Sequence, residues 1–347
     1  MALHRRVPVI LAHTDYIADV ADRRTRGERA VLARRHLSIL RRAGVDAVCE
    51  HVGGDLPYFS RFPFRSAYPV EPLLSALRGV EAMQAEAEES GATLRIVRRV
   101  ADIARARRAG QVGLILCLEG GMPLGDDLTL LRVFHRLGIR IIGLTWNHRN
   151  QLGDGVGERR PGGLSDLGKA AVREMHRLGI LIDVSHLAEP GCWDVLAASP
   201  DPIIASHSNC HALAPHPRNL KDDLIQEIAK RGGVVGIHAL GMFVRRKGRP
   251  RLDDLLDHLE HLRVVAGPAH VAIGPDLLER WPARMLNELW RGTPFGQTRF
   301  VYPTGFRSVA DLPNVTAGLL RRGWSDGEVE GVLGGNLIRL FTKVWRR

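Results

Sequence analysis

The chain has 347 residues, 45% of them apolar, enough to bury a full core, and no run of about 18 apolar residues marks a membrane-spanning helix. The formal charge of +11 is carried by arginines scattered over helix-like segments such as 33–44 and 101–110. With no single basic run and no nucleic-acid motif, a solvated arginine-rich surface is favoured over nucleic-acid binding, although the charge can still draw anionic substrates.

The N-terminus, MALHRRVPVILAHTD, superficially suggests a signal peptide. Its apolar part, Val7 to Ala12, is shorter than a signal core of about 7–15 residues and no small-residue cleavage site comes after it. It reads as a buried strand, and the expected location is the cytoplasm. Seven further apolar runs come after it: Ala47–His51, Val112–Leu118, Ile139–Thr145, Ile180–Val184, Pro202–Ala205, Val234–His238 and Val271–Ile273. Their near-continuous hydrophobicity suits parallel strands covered on both faces.

Between the runs lie amphipathic segments with helix caps: Arg26–Ala43, Glu71–Ser90, Asp127–Leu137, Ser165–Leu178, Lys221–Arg231 and Leu252–Ala266. Most stop at glycine, the residue that best adopts the left-handed conformation closing a helix. Eight runs alternating with helices predict an α/β fold, a (βα)8 TIM barrel, with C-terminal helices and an irregular loop, Leu277–Pro303, after strand eight. LRIVRR at 94–99 reads as an extra strand or a helix start. No repeat or composition break appears, so 1–347 is expected to be a single domain. The cysteines (Cys49, Cys117, Cys192, Cys210) show no C-x-x-C pairing and are expected to be reduced and mostly buried.

The chemistry lies at the C-terminal ends of the runs. After the first stands His13-Thr14-Asp15, and after the third Glu119-Gly120-Gly121. The fifth ends in Asp183-Val184-Ser185-His186, the sixth in Ser206-His207-Ser208, the eighth in Gly274-Pro275-Asp276. In a barrel these positions meet at the C-terminal mouth, where the active site is built. Each alone is weak: a single histidine at a strand end is more often structural, Glu-Gly-Gly can be an ordinary turn, and Asp276 can be a helix cap. Five strand ends that all deliver imidazoles and carboxylates point to a zinc-type centre. The donors exceed what one tetrahedral zinc takes, so two divalent cations, roughly 3.5–4 Å apart, are expected.

At these residues the sequence resembles the membrane (renal) dipeptidase family, the zinc dipeptidases of the amidohydrolase-like barrels (peptidase family M19). The resemblance covers nearly the whole chain. It rests on His13-x-Asp15, Leu118-Glu119-Gly120-Gly121, Leu144-Thr145, the segments GILIDVSH and SHSNCHAL, Arg218-Asn219 and the closing GGNLIRLF. It implies a hydrolase that splits the amide bond of a dipeptide or dipeptide-like small molecule by a metal-activated bridging water. Glu119 would bridge the two cations, zinc being expected, with His13 and Asp15 completing one site and His186 and His207 the other. Asp276 would hold or deprotonate the water, and Arg218 would pair with the substrate's free carboxylate. The sequence departs from the pattern at Trp146, where family members often carry a histidine that polarises the scissile carbonyl; His148 is the nearby imidazole that could supply that contact. Pro275 and Leu278 also depart from the pattern around Asp276. A lactam, cyclic amide or specialised conjugate is the alternative substrate. A non-catalytic small-molecule binder is the alternative class. A membrane partner is not expected, and a homodimer is the assembly to test.

Overall fold

The β-branched runs fold as parallel strands: β1 (Ile10–Thr14), β2 (Ala47–Gly54), β3 (Leu94–Ile96), β4 (Val112–Glu119), β5 (Ile139–Gly143), β6 (Leu181–Asp183), β7 (Ile204–Ala205), β8 (Val234–Ile237) and β9 (Val271–Ile273). The computed structural model describes residues 2–56, 58, 71–292, 294, 295 and 300–345. All pairings are parallel, in the order β1-β2-β4-β5-β6-β7-β8-β9, with β3 set beside the start of β4. β9 packs against β1, so these eight strands make a nearly closed (βα)8 barrel. LRIVRR thus supplies the extra strand β3, and a helix, Val100–Arg108, begins only beyond it.

Alternation along each strand fills the interior. Ile10, Ala12, Ala47, Cys49, Ile115 and Cys117 turn inward with Ile141, Leu181, Ile204, Val234 and Ala272. The closing helix Asn336–Val344 contributes Leu337, Leu340 and Phe341 to this cluster. The four cysteines are buried and unpaired.

Two expectations need correction. Leu277–Pro303 is not irregular throughout, because Ala283–Gly292 is a helix. Pro282 precedes its first turn, where a missing N–H costs nothing, and Met285 and Leu289, four apart, are buried on one face. The segment read as Arg26–Ala43 is helical only from Leu32, opening with a π turn. An earlier helix, Ile17–Arg24, occupies the loop before it.

Arg24 ties this region down. It donates to the fully buried Glu86 at 2.8 Å and to Glu89 at 2.7 Å. The Arg24 hydrogen bond brings the Glu89 carboxyl down to about 2. That stabilisation is present above about pH 4.5 and is lost as pH falls towards 2. Arg24→Ala leaves Glu86 buried without its cation and should cost about 3 kcal/mol at neutral pH. Urea unfolding should show that cost shrinking near pH 3. An equal cost at both pH values would assign the effect to packing.

Candidate metal centre

The strand ends deliver His13 in the last residues of β1 and Asp15 just after it, Glu119 at the end of β4, His186 after β6, His207 after β7 and Asp276 after β9. All of them meet at the barrel mouth. Glu119 Oε1 lies 3.0 Å from His186 Nε2, 3.5 Å from His207 Nε2 and 3.7 Å from His13 Nε2. His13 Nε2 is 3.1 Å from Asp15 Oδ2 and 3.7 Å from Asp276 Oδ1.

The backbone is shaped for this convergence. Gly120 has φ +111°, and an added Cβ there would fall 2.3 Å from the Asp55 carboxylate, so Glu119-Gly120 cannot be replaced by an ordinary turn. At Gly274 a Cβ would sit 1.8 Å from the Ser206 carbonyl oxygen. His186 (φ 68°) and Asp276 (φ 48°) hold left-handed conformations rare for residues with a side chain. Such strain persists where the surroundings over-determine it. Around His186 they do: the Asp183 carboxylate accepts from the Ser185 and Ser206 amides at 2.9 and 3.0 Å, locking the ends of β6 and β7 together. Glu50, buried beneath β1, accepts from the Thr14 hydroxyl and the Ile17 amide at 2.6 and 2.7 Å and so fixes the loop carrying Asp15.

Neighbours also set the imidazole tautomers. His186 Nδ1 is 2.8 Å from Asn147 Oδ1, and His207 Nδ1 is 2.7 Å from Ser206 Oγ. With Nδ1 donating, each ring presents an unprotonated Nε2 to the mouth. Those two Nε2 atoms face one another at 2.8 Å. Burial, then the charge of Arg218 on His186 and of His13 on His207, lowers both imidazoles well below their ordinary value, so they are neutral, the coordinating form. The carboxylates are crowded: burial and then Asp276 push Asp15 far up, and burial and then Asp15 do the same to Glu119. Neutral imidazoles converging on mutually repelling carboxylates are a donor set for divalent cations, whose charge removes that repulsion. The potential ligand atoms of Glu119, His186 and His207, and those of His13, His207 and Asp276, lie within 4.8 Å of one another.

Around this centre runs a pocket walled by Trp146, Leu240, Met242, Phe243, Leu278 and Tyr302. Arg218, only 2% exposed, reaches into it. Its Nη2 donates to the His207 carbonyl at 3.2 Å and to His186 Nε2 at 3.1 Å. Trp146 forms part of the wall, its amide held by Asp55 at 2.8 Å. His148 is exposed and does not line the pocket.

Besides His186, the pocket is lined by His238, which the sequence pattern merges into an apolar run as its last residue. The Leu240 amide donates to its Nδ1 at 3.0 Å, so Nε2 carries the proton and donates to Asp276 Oδ2 at 3.1 Å. Burial opposes ionisation of Asp276, but the hydrogen bonds from His238 and from the Asp15 carboxyl hold it below the carboxylate range. Leu278 packs beside Asp276 and donates its amide to the Tyr302 hydroxyl at 3.0 Å, which in turn donates to the Asp276 carbonyl at 3.2 Å. Position also gives this signal: His238 stands at a strand end just as the other mouth residues do.

Arg280 and Arg284, the two arginines of 277–303 whose side chains are described, do not converge on the pocket. Arg280 caps the Arg35 carbonyl and Arg284 pairs with Asp22 at 2.7 Å. Arg299 and the side chain of Arg291 lie outside the described residues.

The family model described as membrane dipeptidase (peptidase family M19) matches residues 1–284 and 292–346. The chain is 31% identical over 246 residues, 70% of its length, to dipeptidase tcpJ of Claviceps purpurea; that stretch is 53% of the relative, so the chain spans about half of it. Among solved structures, an amidohydrolase from Pseudomonas aeruginosa superposes with a TM-score of 0.85 at 26% identity, covering 99% of this chain and 98% of that one. The dipeptidase AC, a metallopeptidase of family M19, superposes with a TM-score of 0.82 at 25% identity, covering 98% and 99%.

Proposed function

Because the chain belongs to the membrane dipeptidase family (peptidase family M19), we propose that it is a metal-dependent dipeptidase. It holds two divalent cations, zinc first among them, and hydrolyses the amide bond of a dipeptide or dipeptide-like small molecule with a free carboxylate. One observation carries this reading: the neutral imidazoles and crowded carboxylates of the barrel mouth stand beside a buried guanidinium, Arg218, that pairs with no carboxylate among the described residues.

Glu119 lies between two donor groups, His13 with Asp15 and His186 with His207, and would serve both cations. When bound, the cations polarise the scissile carbonyl and acidify the attacking water. The protein's own groups do the rest. Asp276 has Oδ2 engaged by His238 and Oδ1 turned towards His13, so Oδ1 is the oxygen that takes a proton and returns it to the leaving amine. Arg218 fixes the free carboxylate. Met242, Phe243, Leu278 and Leu289 line the pocket, so the accepted side chain is apolar. Trp146, standing where relatives often have a histidine, favours the second reading of a lactam or cyclic amide.

The same reading takes residues 1–347 as one hydrolase domain, working in the cytoplasm without a nucleic-acid or membrane partner; among the described residues no helix is long and apolar enough to cross a membrane. Elemental analysis of protein purified without chelators should find about two cations per chain. Glu119→Gln should weaken both together, whereas His13→Ala should empty mainly one. Protein that holds no transition metal, and takes up none on reconstitution, rules the hydrolase out and leaves a non-catalytic binder.

A further inference from the structure

We propose that His51 is a further protein ligand of the cation site built on His13 and Asp15. The proposal rests on the metal-centre reading and adds to it a residue from β2, a strand otherwise without a ligand.

Alternation along β2 places His51 on the same face as Ala47 and Cys49, which line the barrel interior. His51 is therefore the uppermost inward residue of its strand and sits at the floor of the mouth. It is 1% exposed, and its ring stacks on that of His13 with centroids 4.0 Å apart and planes 26° from parallel. Neither ring nitrogen makes a hydrogen bond of ordinary geometry. The Thr14 backbone carbonyl acts on the ring without completing one.

A buried imidazole without partners is destabilising, since an unsatisfied polar group forfeits its hydration. An apolar ring would fill the same space, as the apolar residues below it do. The other imidazoles of the mouth each have a bonded nitrogen: His186 on Asn147, His207 on Ser206, His238 on Leu240 and Asp276. His51 and His13 are the two that keep orphaned nitrogens, and they are in contact. Ligand atoms of His13, Asp15 and His51 lie within 4.8 Å of one another. Donors sharing one zinc at bonds of roughly 2.0–2.2 Å stand about 3.4 Å apart in tetrahedral geometry, and the His51 ring, stacked on His13, reaches that arrangement by turning out of the stack so that its lone pair converges with those of His13 and Asp15. With one nitrogen towards Thr14 and the other towards the cation, His51 takes the arrangement common to coordinating histidines.

The test is zinc titration of the metal-stripped full-length chain. Wild type should bind about two equivalents. His51→Phe keeps a ring stacked on His13 but offers no nitrogen; it should weaken one equivalent by at least about tenfold and leave the other unchanged. Metal-free His51→Phe should melt no lower than metal-free wild type, because it removes an unsatisfied buried group. Unchanged binding of both equivalents by His51→Phe would overturn the proposal while leaving the metal centre standing; a wild type that binds no zinc would remove both. A readout on wild type alone covers a variant that fails to fold. Loaded with cobalt(II) and labelled with 15N-histidine, the protein should show one more hyperfine-shifted imidazole N–H resonance than His13, His186 and His207 supply. Its absence counts against His51.

Discussion

Asp276→Asn should lower kcat by about a thousandfold while leaving two cations bound. A positioned acid–base group is worth about 10²–10⁴ in rate, and Asp276 is the carboxylate best placed for that task. Its Oδ2 accepts from His238 at 3.1 Å and its Oδ1 stands 3.7 Å from His13 Nε2, while the Asp15 carboxyl shares a hydrogen bond with it. Unlike Asp15 and Glu119, which burial and mutual repulsion drive towards protonation, Asp276 is held in its ionised form by His238 and His13. Asparagine retains an oxygen to accept from His238 and preserves the shape of the turn, but it cannot take a proton. Single-turnover kinetics with elemental analysis separate the possibilities. Loss of rate at full metal content supports the proton-transfer role. Loss of metal makes Asp276 a ligand. Wild-type turnover reduces it to a carboxylate that closes the turn after β9.

The parts of this site that can be read from the sequence share one property. His13, Asp15, Glu119, His186, His207 and Asp276 come immediately after an apolar run or stand as a polar break at its end, so the barrel's geometry converts sequence position into spatial convergence. His51 and His238 stand at strand ends too, but each merges into the apolar run it terminates, because apolar content and not side-chain direction marks the run. Parity along β2 turns His51 inward with Ala47 and Cys49. Asp183 and Ser206 stand in the strand-end motifs, but their roles in setting tautomer and strain, like that of Asn147, arise only when two loops meet. His148 illustrates the converse. Its closeness to Trp146 in sequence suggests a replacement imidazole, yet the loop after β5 turns it out to solvent while β8 brings His238 in. The helix Ala283–Gly292 does carry signals, Pro282 before it, Met285 and Leu289 four apart and Gly292 at its end, whereas Tyr302 lies in the loop beyond it and carries none.

Amidating the C-terminus of a dipeptide substrate should abolish most turnover, and Arg218→Lys should do the same to the unmodified substrate. Arg218 is buried at the pocket wall, and burial brings its guanidinium down to about 10, still far enough above neutral pH to keep it charged. Among the described residues no carboxylate forms an ion pair with it; its hydrogen bonds run to the His207 carbonyl, His186 Nε2 and, at 3.5 Å, Ser208 Oγ. A buried, uncompensated cation is expensive to keep, and a substrate carboxylate is the partner that the pocket's mouth can admit. Breaking such a desolvated pair costs roughly 2–5 kcal/mol, or about 30-fold to several thousand-fold in kcat/KM. Lysine keeps the charge but not the planar fork that binds both carboxylate oxygens, so its loss should approach that of the amidated substrate. The double combination, Arg218→Lys with amidated substrate, should be little worse than either alone, because both remove one interaction. If Arg218 served only to brace His186 and the His207 loop, free and amidated substrates would be cleaved alike by the wild type, and Arg218→Lys would slow both equally. That outcome would leave a metallohydrolase whose substrate has no carboxylate at this position, with a lactam or cyclic amide next to be assayed.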